Sequence, residues 1–409
     1  MIDSNQYLIG FAGLARMLES GIDFPELGPR LEARIKNAPR DANALMDLST
    51  LLFLSMNPDF RSIAFEKQRR ALDISRVYRL RPTTNAPVLR LLVVMAPGEM
   101  TANTPVDCLL EDSDVEITMF YVVPGRPLPE SLPDHDLILV AIGESDESGA
   151  LLDQLAGLSK LSTKPVINAP DKIRALTRNR VATLLKSVPG TVMPATARVE
   201  REPLLKVAEE KRLLGEILDQ GRYPIIARPV SSHGGKNLSR IDNAPDLAAY
   251  VADLPDAEFY ISNFIDYRSA DGQFRKIRVV MFEGRPFACH MAISSNWMVH
   301  YFNADMVSSP AKRDEEAAFM KAFHETFAEK HKDSLASIYR LLGLDFIVLD
   351  CAETQDGTLL IFEADTAAIV HALDDPKLFP YKKPAMLKVF DAFREMLIAR
   401  ANHAHGPAN

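Results

Sequence analysis

The chain has 409 residues, 47% apolar and 25% charged, with a formal net charge of −8. That length and balance suit roughly two to four folded domains, and without a basic excess they exclude non-specific nucleic-acid binding. Cys108, Cys289 and Cys351 are few, far apart and form no CxxC, so they read as reduced core thiols, not as a disulfide framework or a zinc site.

In chain order, the N-terminus lacks a basic start followed by an apolar core, so a cytoplasmic protein without a signal peptide is expected. No apolar stretch approaches the roughly 20 residues of a membrane helix, so no membrane partner is expected either. Residues 1–82 read as a helical region, with helices over 13–20, 41–54 and 60–80; Ala44, Leu48, Leu51 and Leu52 share one face. The pair 41–54 and 60–80, joined around Asn57, Pro58 and Asp59, looks like a single tetratricopeptide-type hairpin, although its period of about 34 residues is not repeated. A helical cap packed on the rest of the chain and a partner-binding module are both open readings. A Pro-containing linker at 81–87 precedes strands at 88–95, 115–123 and 136–142, a helix at 150–161 and a short strand at 165–168. That alternation predicts a small parallel α/β domain over 83–175. The loop 96–103 reads first as a plain βα connection and second as a ligand loop. A basic helical stretch, 171–187, carries Lys172, Arg178 and Arg180.

Farther along, a strand ends in Arg228 and Pro229 and runs into a loop of Ser231, Ser232, His233, Gly234, Gly235 and Lys236. Glycines allow backbone N–H groups close to an anion, and hydroxyls add donors. It is not a Walker A loop, because Asn237 follows Gly235-Lys236 and Val230 stands where the first glycine belongs. A plain hairpin connection is the competing reading. A strand over 259–265 follows, then one opened by Arg275, Lys276 and Arg278 and closed by a turn at Glu283-Gly284-Arg285. Lys276 and Arg278 share a face that Arg275 does not. The segment 287–305 gathers His290, His300, Asn303 and the one Trp, Trp297; in its strand part His290 points away from the apolar face. A histidine in such a setting is more often structural than catalytic.

The last strand pair is the most informative. Two apolar runs flank a turn centred on Asp356-Gly357, a hairpin signal, and counting outward puts Asp350 across from Glu363, with Asp365 on the same face as Glu363. Three carboxylates together repel unless a cation compensates them. Hard oxygens of this kind suit Mg²⁺, which commonly takes one or two carboxylates plus phosphates; a solvated acidic strand end is the plain alternative.

In their order, these signatures resemble the ATP-grasp superfamily, most closely its RimK-like carboxylate–amine ligases, over residues 88–400. The departures are Asp365 where the family's closing triplet has Asn, and Arg228 where a Lys is usual. The resemblance implies an α/β (α+β) ATP-grasp fold behind a pre-ATP-grasp domain, with subdomains over 176–266 and 267–409. It implies ATP and Mg²⁺ as cofactors, with Asp350, Glu363 and Asp365 on the metal. A basic residue of the 171–187 stretch, best Arg178, would reach a phosphate, and backbone groups of Ser262, Asn263, Phe264 and Ile265 would meet the adenine. Arg228, Lys236 and Arg278 would balance transferring charge, and Arg275, Lys276, His290, His300 and Asn303 would line the substrate side. The expected activity is an ATP-dependent ligase joining a carboxylate to the amine of an amino acid or peptide through an acylphosphate. The alternatives are a nucleotide-binding regulatory or scaffold protein and a small-molecule kinase.

Overall fold

Four helices open the chain in the computed structural model, which describes residues 6–232 and 234–403: α1 (Gly10–Glu19), α2 (Phe24–Asn37), α3 (Ala42–Leu54) and α4 (Arg61–Ile74). Asp23 and Asp41 cap α2 and α3, their carboxylates accepting from the Glu26 and Ala44 N–H groups. Leu14, Leu27, Leu31, Leu48, Leu51 and Ala64 meet in one buried cluster, so the apolar face expected on α3 is shared by all four helices. Helix α2 went unforeseen because Pro25 and Pro29 punctuate it. The helix expected over 60–80 stops at Ile74, where Ser75 turns extended. Val77–Arg79 is instead a strand, β1.

That strand edges a five-stranded sheet with β2 (Leu89–Met95), β3 (Val115–Tyr121), β4 (Leu137–Val140) and β5 (Val166–Ile167), in the order β1-β3-β2-β4-β5. β1 runs antiparallel to β3, while β2 is parallel to β3 and β4, and β4 to β5. The near-continuous apolar runs of β2 and β4 fit a sheet covered on both faces. α5 (Val106–Leu109), α6 (Asp146–Leu155), α7 (Leu158–Leu161) and α8 (Pro170–Arg174) complete this part. The helix expected over 150–161 is thus two, and the basic stretch 171–187 also splits, into α8 and α9 (Arg178–Leu185).

β6 (Thr191–Val192), β7 (Thr196–Glu200), α10 (Arg201–Ala208), β8 (Ile225–Pro229), β9 (Ser239–Ile241), α11 (Ala244–Asp253) and β10 (Glu258–Asn263) come next. Then follow β11 (Phe274–Phe282), β12 (Arg285–Ser294), α12 (Pro310–Ala322), α13 (Lys332–Leu342), β13 (Phe346–Glu353), β14 (Leu359–Asp365) and α14 (Lys382–His403). β7-β10-β8-β9 is an antiparallel sheet over a core of Leu204, Leu247, Phe259 and Ile261. A second five-stranded sheet runs β12-β11-β13-β14-β6. The β11–β12 turn places Glu283 and Gly284 at φ +48° and +82°, the left-handed pair of a tight hairpin. A Cβ at Gly284 would lie 2.8 Å from the Tyr339 ring. Between β13 and β14 the connection is longer than the two-residue turn expected at Asp356-Gly357. The Thr354 N–H donates to the Thr358 carbonyl at 3.0 Å and the Gly357 N–H to the Thr354 carbonyl at 2.8 Å, so counting from a tight turn does not set what faces Asp350.

The protein is therefore a mixed α/β chain with parallel and antiparallel sheets behind N-terminal helices, in two compact units. One takes the chain up to Arg174, Leu344–Ile347 and everything from Asp365; there α14 returns to the first sheet's unit, with Arg394 forked on Asp114 at 2.5 and 2.6 Å. The other takes Ala175–Gly343 and Val348–Ala364. Among the described residues no helix is long and apolar enough to cross a membrane.

Candidate functional site

Strand alternation puts Lys276 and Arg278 on one face of β11, where their Cα partners on β12 are Ala292 and His290. Arg278 forks onto Asp350 of β13, Nε to Oδ1 at 2.8 Å and Nη2 to Oδ2 at 3.0 Å. The Lys276 Nζ lies 2.7 Å from the same Oδ2. Burial would push the Asp350 carboxyl up, but the charges of Arg278 and Lys276 outweigh it and hold the group well below the usual carboxylate range. The Arg278 guanidinium is penalised by the same burial, yet Asp350 raises its pKa above the ordinary value.

A second ion pair adjoins the first. Arg178, the first residue of α9, donates from Nη2 to Glu363 Oε1 on β14. Burial and the neighbouring Asp350 charge act to raise the Glu363 carboxyl; Arg178, Arg228 and Lys276 overcome them and lower it. Arg228, on β8, is pushed down to about 10 by burial and by the like charge of Arg178, against the pull of Glu363, so it remains cationic at neutral pH. Four cations thus surround two ionised carboxylates. Of the three basic residues expected to compete in the 171–187 stretch, Arg178 is the one in this group, while Lys172 and Arg180 are exposed.

Arg228 also secures the start of the Gly-rich loop: its Nε donates to Ser232 Oγ at 3.0 Å and its Nη2 to the Ser232 carbonyl, while that hydroxyl donates to the Pro229 carbonyl at 2.9 Å. Gly234, Gly235 and Asn237 all adopt positive φ, +60°, +78° and +55°, a left-handed turn that the two glycines take without steric cost. The Tyr250 hydroxyl donates to the Asn237 carbonyl at 2.6 Å. Ser231 and Lys236 are exposed, and His233 lies outside the described residues. On β10, Ser262 pairs with Thr196 and Ile226, and the Asn263 and Phe264 N–H groups donate to the Ala195 and Pro224 carbonyls, both at 3.2 Å. Those donors are spent inside the protein, and Ile265 lies just past the end of β10. Phe264 itself stands edge-on to Trp297 at 5.9 Å, with the Arg240 guanidinium 4.6 Å from its ring.

The candidate substrate residues separate. Arg275, on the opposite face of β11, is held by Glu315 (2.5 and 3.1 Å) and Asp271 (3.1 and 2.7 Å), away from Lys276 and Arg278. The His290 ring meets Tyr301 at 5.1 Å. The His300 imidazole is shifted down by burial and by the charges of Lys276 and Arg278, so it is neutral beside the cluster. Asn303 shapes the turn that carries it, Oδ1 accepting from the His300 N–H at 2.8 Å and Nδ2 donating to the Met298 carbonyl at 3.3 Å. Asp365 ends β14; its Oδ1 accepts from the Ala367 N–H at 2.8 Å, and it packs with the first unit. No three His, Cys, Asp or Glu side chains form a metal-ready group among the described residues. The expected core thiols are found: Cys108, Cys289 and Cys351 are free and buried.

One residue had no signal in the sequence. Glu316, the one buried residue of α12, accepts from the Met291 N–H and the Tyr301 hydroxyl, both at 3.0 Å. It stands after Asp314 and Glu315 in a polar run, where nothing local marks it as different.

No protein-family model matches the chain, and no curated protein does. Among solved structures it is similar to the VanG D-Ala:D-Ser ligase of Enterococcus faecalis, at 12% identity and a TM-score of 0.47 over 75% of this chain and 99% of that one. It is also similar to a D-alanine–D-alanine ligase of Bacillus anthracis complexed with ATP (16%, 0.46, 77% and 99%). A RimK domain ATP-grasp protein of Sphaerobacter thermophilus is a third (16%, 0.42, 76% and 99%).

Proposed function

We propose that this protein is an ATP-dependent ligase of ATP-grasp type that joins a carboxylate to an amine through an acylphosphate. The observation that carries the reading is the charge balance of the site: Arg178, Arg228, Lys276 and Arg278 against Asp350 and Glu363, a surplus of two positive charges in a half-buried place beside a Gly-rich loop. Such a surplus suits a polyphosphate, and the loop of Ser231, Ser232, His233, Gly234 and Gly235 with Lys236 suits its oxygens. Asp350 and Glu363 also fit Mg²⁺, being adjacent hard-oxygen donors kept ionised, with Asp365 two positions on as the third candidate from the sequence. Bound there, the ion would supply charge neutralisation to phosphate oxygens.

The residues then divide the chemistry. Arg178, Arg228 and Lys236 hold the phosphates, and Arg278 faces the negative charge that develops as the acid's oxygen bonds to the γ-phosphorus and the bond to ADP breaks. The amine next attacks the acyl carbon, phosphate departs, and the nitrogen loses a proton. Closure of the loop would keep water from the acylphosphate. The adenine lies by Ile265 and the apolar residues around Phe264. Buried thiols suit a reducing compartment, which supports a cytoplasmic reading.

Incubation with ATP, Mg²⁺, hydroxylamine and a panel of carboxylic acids tests this. A ligase releases ADP and an equal amount of hydroxamate from at least one acid. ADP with a phosphorylated alcohol and no hydroxamate would make it a small-molecule kinase. Nucleotide binding with no transfer to any acid would point to a regulatory or scaffold role for the site and the N-terminal helices.

A further inference from the structure

Glu316, the one buried residue of α12, is 0% exposed. A buried carboxylate is unfavourable unless its oxygens are well partnered, and an apolar side chain would pack α12 against β12 more readily. Two partners account for its place. Its Oε1 accepts from the Met291 N–H of β12 and its Oε2 from the Tyr301 hydroxyl, both at 3.0 Å.

Both contacts fall beside an irregularity in the sheet. β12 is the outer strand, and its pairing with β11 slips by one residue: Arg278 faces His290 while Val279 faces Ala288, so Cys289 is extra. An extra residue of this kind bends a strand and re-aims the side chains around it. Here it lies opposite Arg278, the residue forked on Asp350. Met291, held by Glu316, is the second residue past the extra one. The Tyr301 ring, also held by Glu316, lies across the His290 ring, with centroids 5.1 Å apart and planes at 61°. Tyr301 itself follows His300 in the turn that Asn303 shapes. One carboxylate thus ties together the strand after the bulge, the ring against which His290 rests and the turn that carries His300.

Building on the ligase reading, we propose that Glu316 is the positioning residue for the substrate side of the site. It touches no substrate, but it sets where His290 stands beside Arg278 and where His300 lies. The phosphate contacts of Arg178, Arg228 and the Gly-rich loop do not depend on it.

Three variants of the full chain test this: Glu316→Gln, Tyr301→Phe and the double variant. The first keeps the shape of the side chain and an acceptor for the Met291 N–H; the second keeps the ring and removes only the hydroxyl. Each single variant is expected to lower kcat/KM for the acid in the hydroxamate assay about 10-fold or more, while affinity for a non-hydrolysable ATP analogue with Mg²⁺ changes by less than about 3-fold. Because both act through one contact, the double variant should lose no more than about 2-fold beyond the worse single one. A purely structural role would make the kinetic loss follow the melting temperature. Asp47→Ala, destabilised in the N-terminal helices, is the control for that and should keep parental kinetics. Trp297, the one Trp of the chain, lies in the same segment, its carbonyl accepting from the Tyr267 hydroxyl at 2.6 Å. Its quenching by acrylamide should rise in both single variants, a readout that needs no turnover. Tyr301→Phe leaves the buried carboxylate in place and decides the matter if Glu316→Gln does not fold. Parental kinetics and quenching in that variant would overturn the proposal, as would additive losses in the double variant or an equal loss of nucleotide affinity. No hydroxamate from any acid in the parent, with quenching raised in both variants, would count against the ligase reading alone.

Discussion

Asp350 and Asp47 are both buried carboxylates, yet Asp350 leans on a guanidinium and an ammonium, whereas Asp47 hydrogen-bonds backbone N–H groups. Asp47, fully buried in α3, accepts from Ile9 and Gly10 at the start of α1, at 3.1 Å in each case. Beside it Asp107 takes the Ala12 N–H at 2.8 Å, so two carboxylates from distant segments cap one helix start. Gly10 belongs to this device: it has φ +79°, and a Cβ there would lie 2.9 Å from Asp107 Oδ2. Burial outweighs the N–H donors and pushes Asp47 up to about 7, and it raises Asp107 as well. Around Asp350 the same burial loses to full charges, and the group goes down. The contrast teaches that hydrogen bonds to neutral donors position a buried carboxylate, while ionisation deep in a fold is secured by countercharge. The first arrangement holds structure; the second is the one the proposed function uses for ionic ligands.

The largest expected effect sharpens that division. On the proposed function Glu363→Ala removes a carboxylate that would hold Mg²⁺, so ADP formation should fall roughly 10²–10³-fold or more. Its strand end contributes little to packing, so the melting temperature should move only slightly. Near-parental turnover at saturating Mg²⁺ would remove Glu363 from the chemistry.

At the helix cap the effect should be on stability, with a definite sign in pH. The Asp47 pKa is raised in the folded protein from 3.8, so its contribution is complete below about pH 4 and is lost as pH rises toward 7. Asp350, lowered on folding, works the other way: its contribution is complete above the ordinary carboxylate value and is lost as pH falls below that value toward the lowered one. Thermal unfolding of Asp47→Asn between pH 4 and 8 should show a flatter decline than the parent. Asp47→Ala should cost about 1–2 kcal/mol through the lost cap. An identical pH slope in Asp47→Asn and the parent would mean the carboxyl is ionised throughout.

The smallest effect tests the edge of the site. Arg275→Gln breaks partly exposed ion pairs with Glu315 and Asp271 and should cost about 1 kcal/mol or less. The KM values for ATP, acid and amine should stay at their parental levels. A selective rise for acid or amine would return Arg275 to the substrate side.

Much of this site can be read along the chain. Alternation on β11 set Lys276 and Arg278 apart from Arg275, glycines marked the loop at 234–235 and the turn at Glu283-Gly284, and the apolar runs around Asp350 and Glu363 marked two adjacent strands. Each of these depends on backbone periodicity or local sterics, which a few neighbouring residues encode. What the sequence could not carry was pairing. Arg278 meets Asp350 across 72 residues and Arg178 meets Glu363 across 185, and which cation reaches which carboxylate depends on strand order in a sheet. The same holds for Val77–Arg79, three residues that are a strand because β3 lies beside them, and for Glu316 and Asp47, whose composition looks like solvated surface. Burial and countercharge are properties of the assembled neighbourhood, so tertiary structure alone decided that Arg275 is spent on Glu315 and Asp271 while Lys276 joins Arg278 on Asp350.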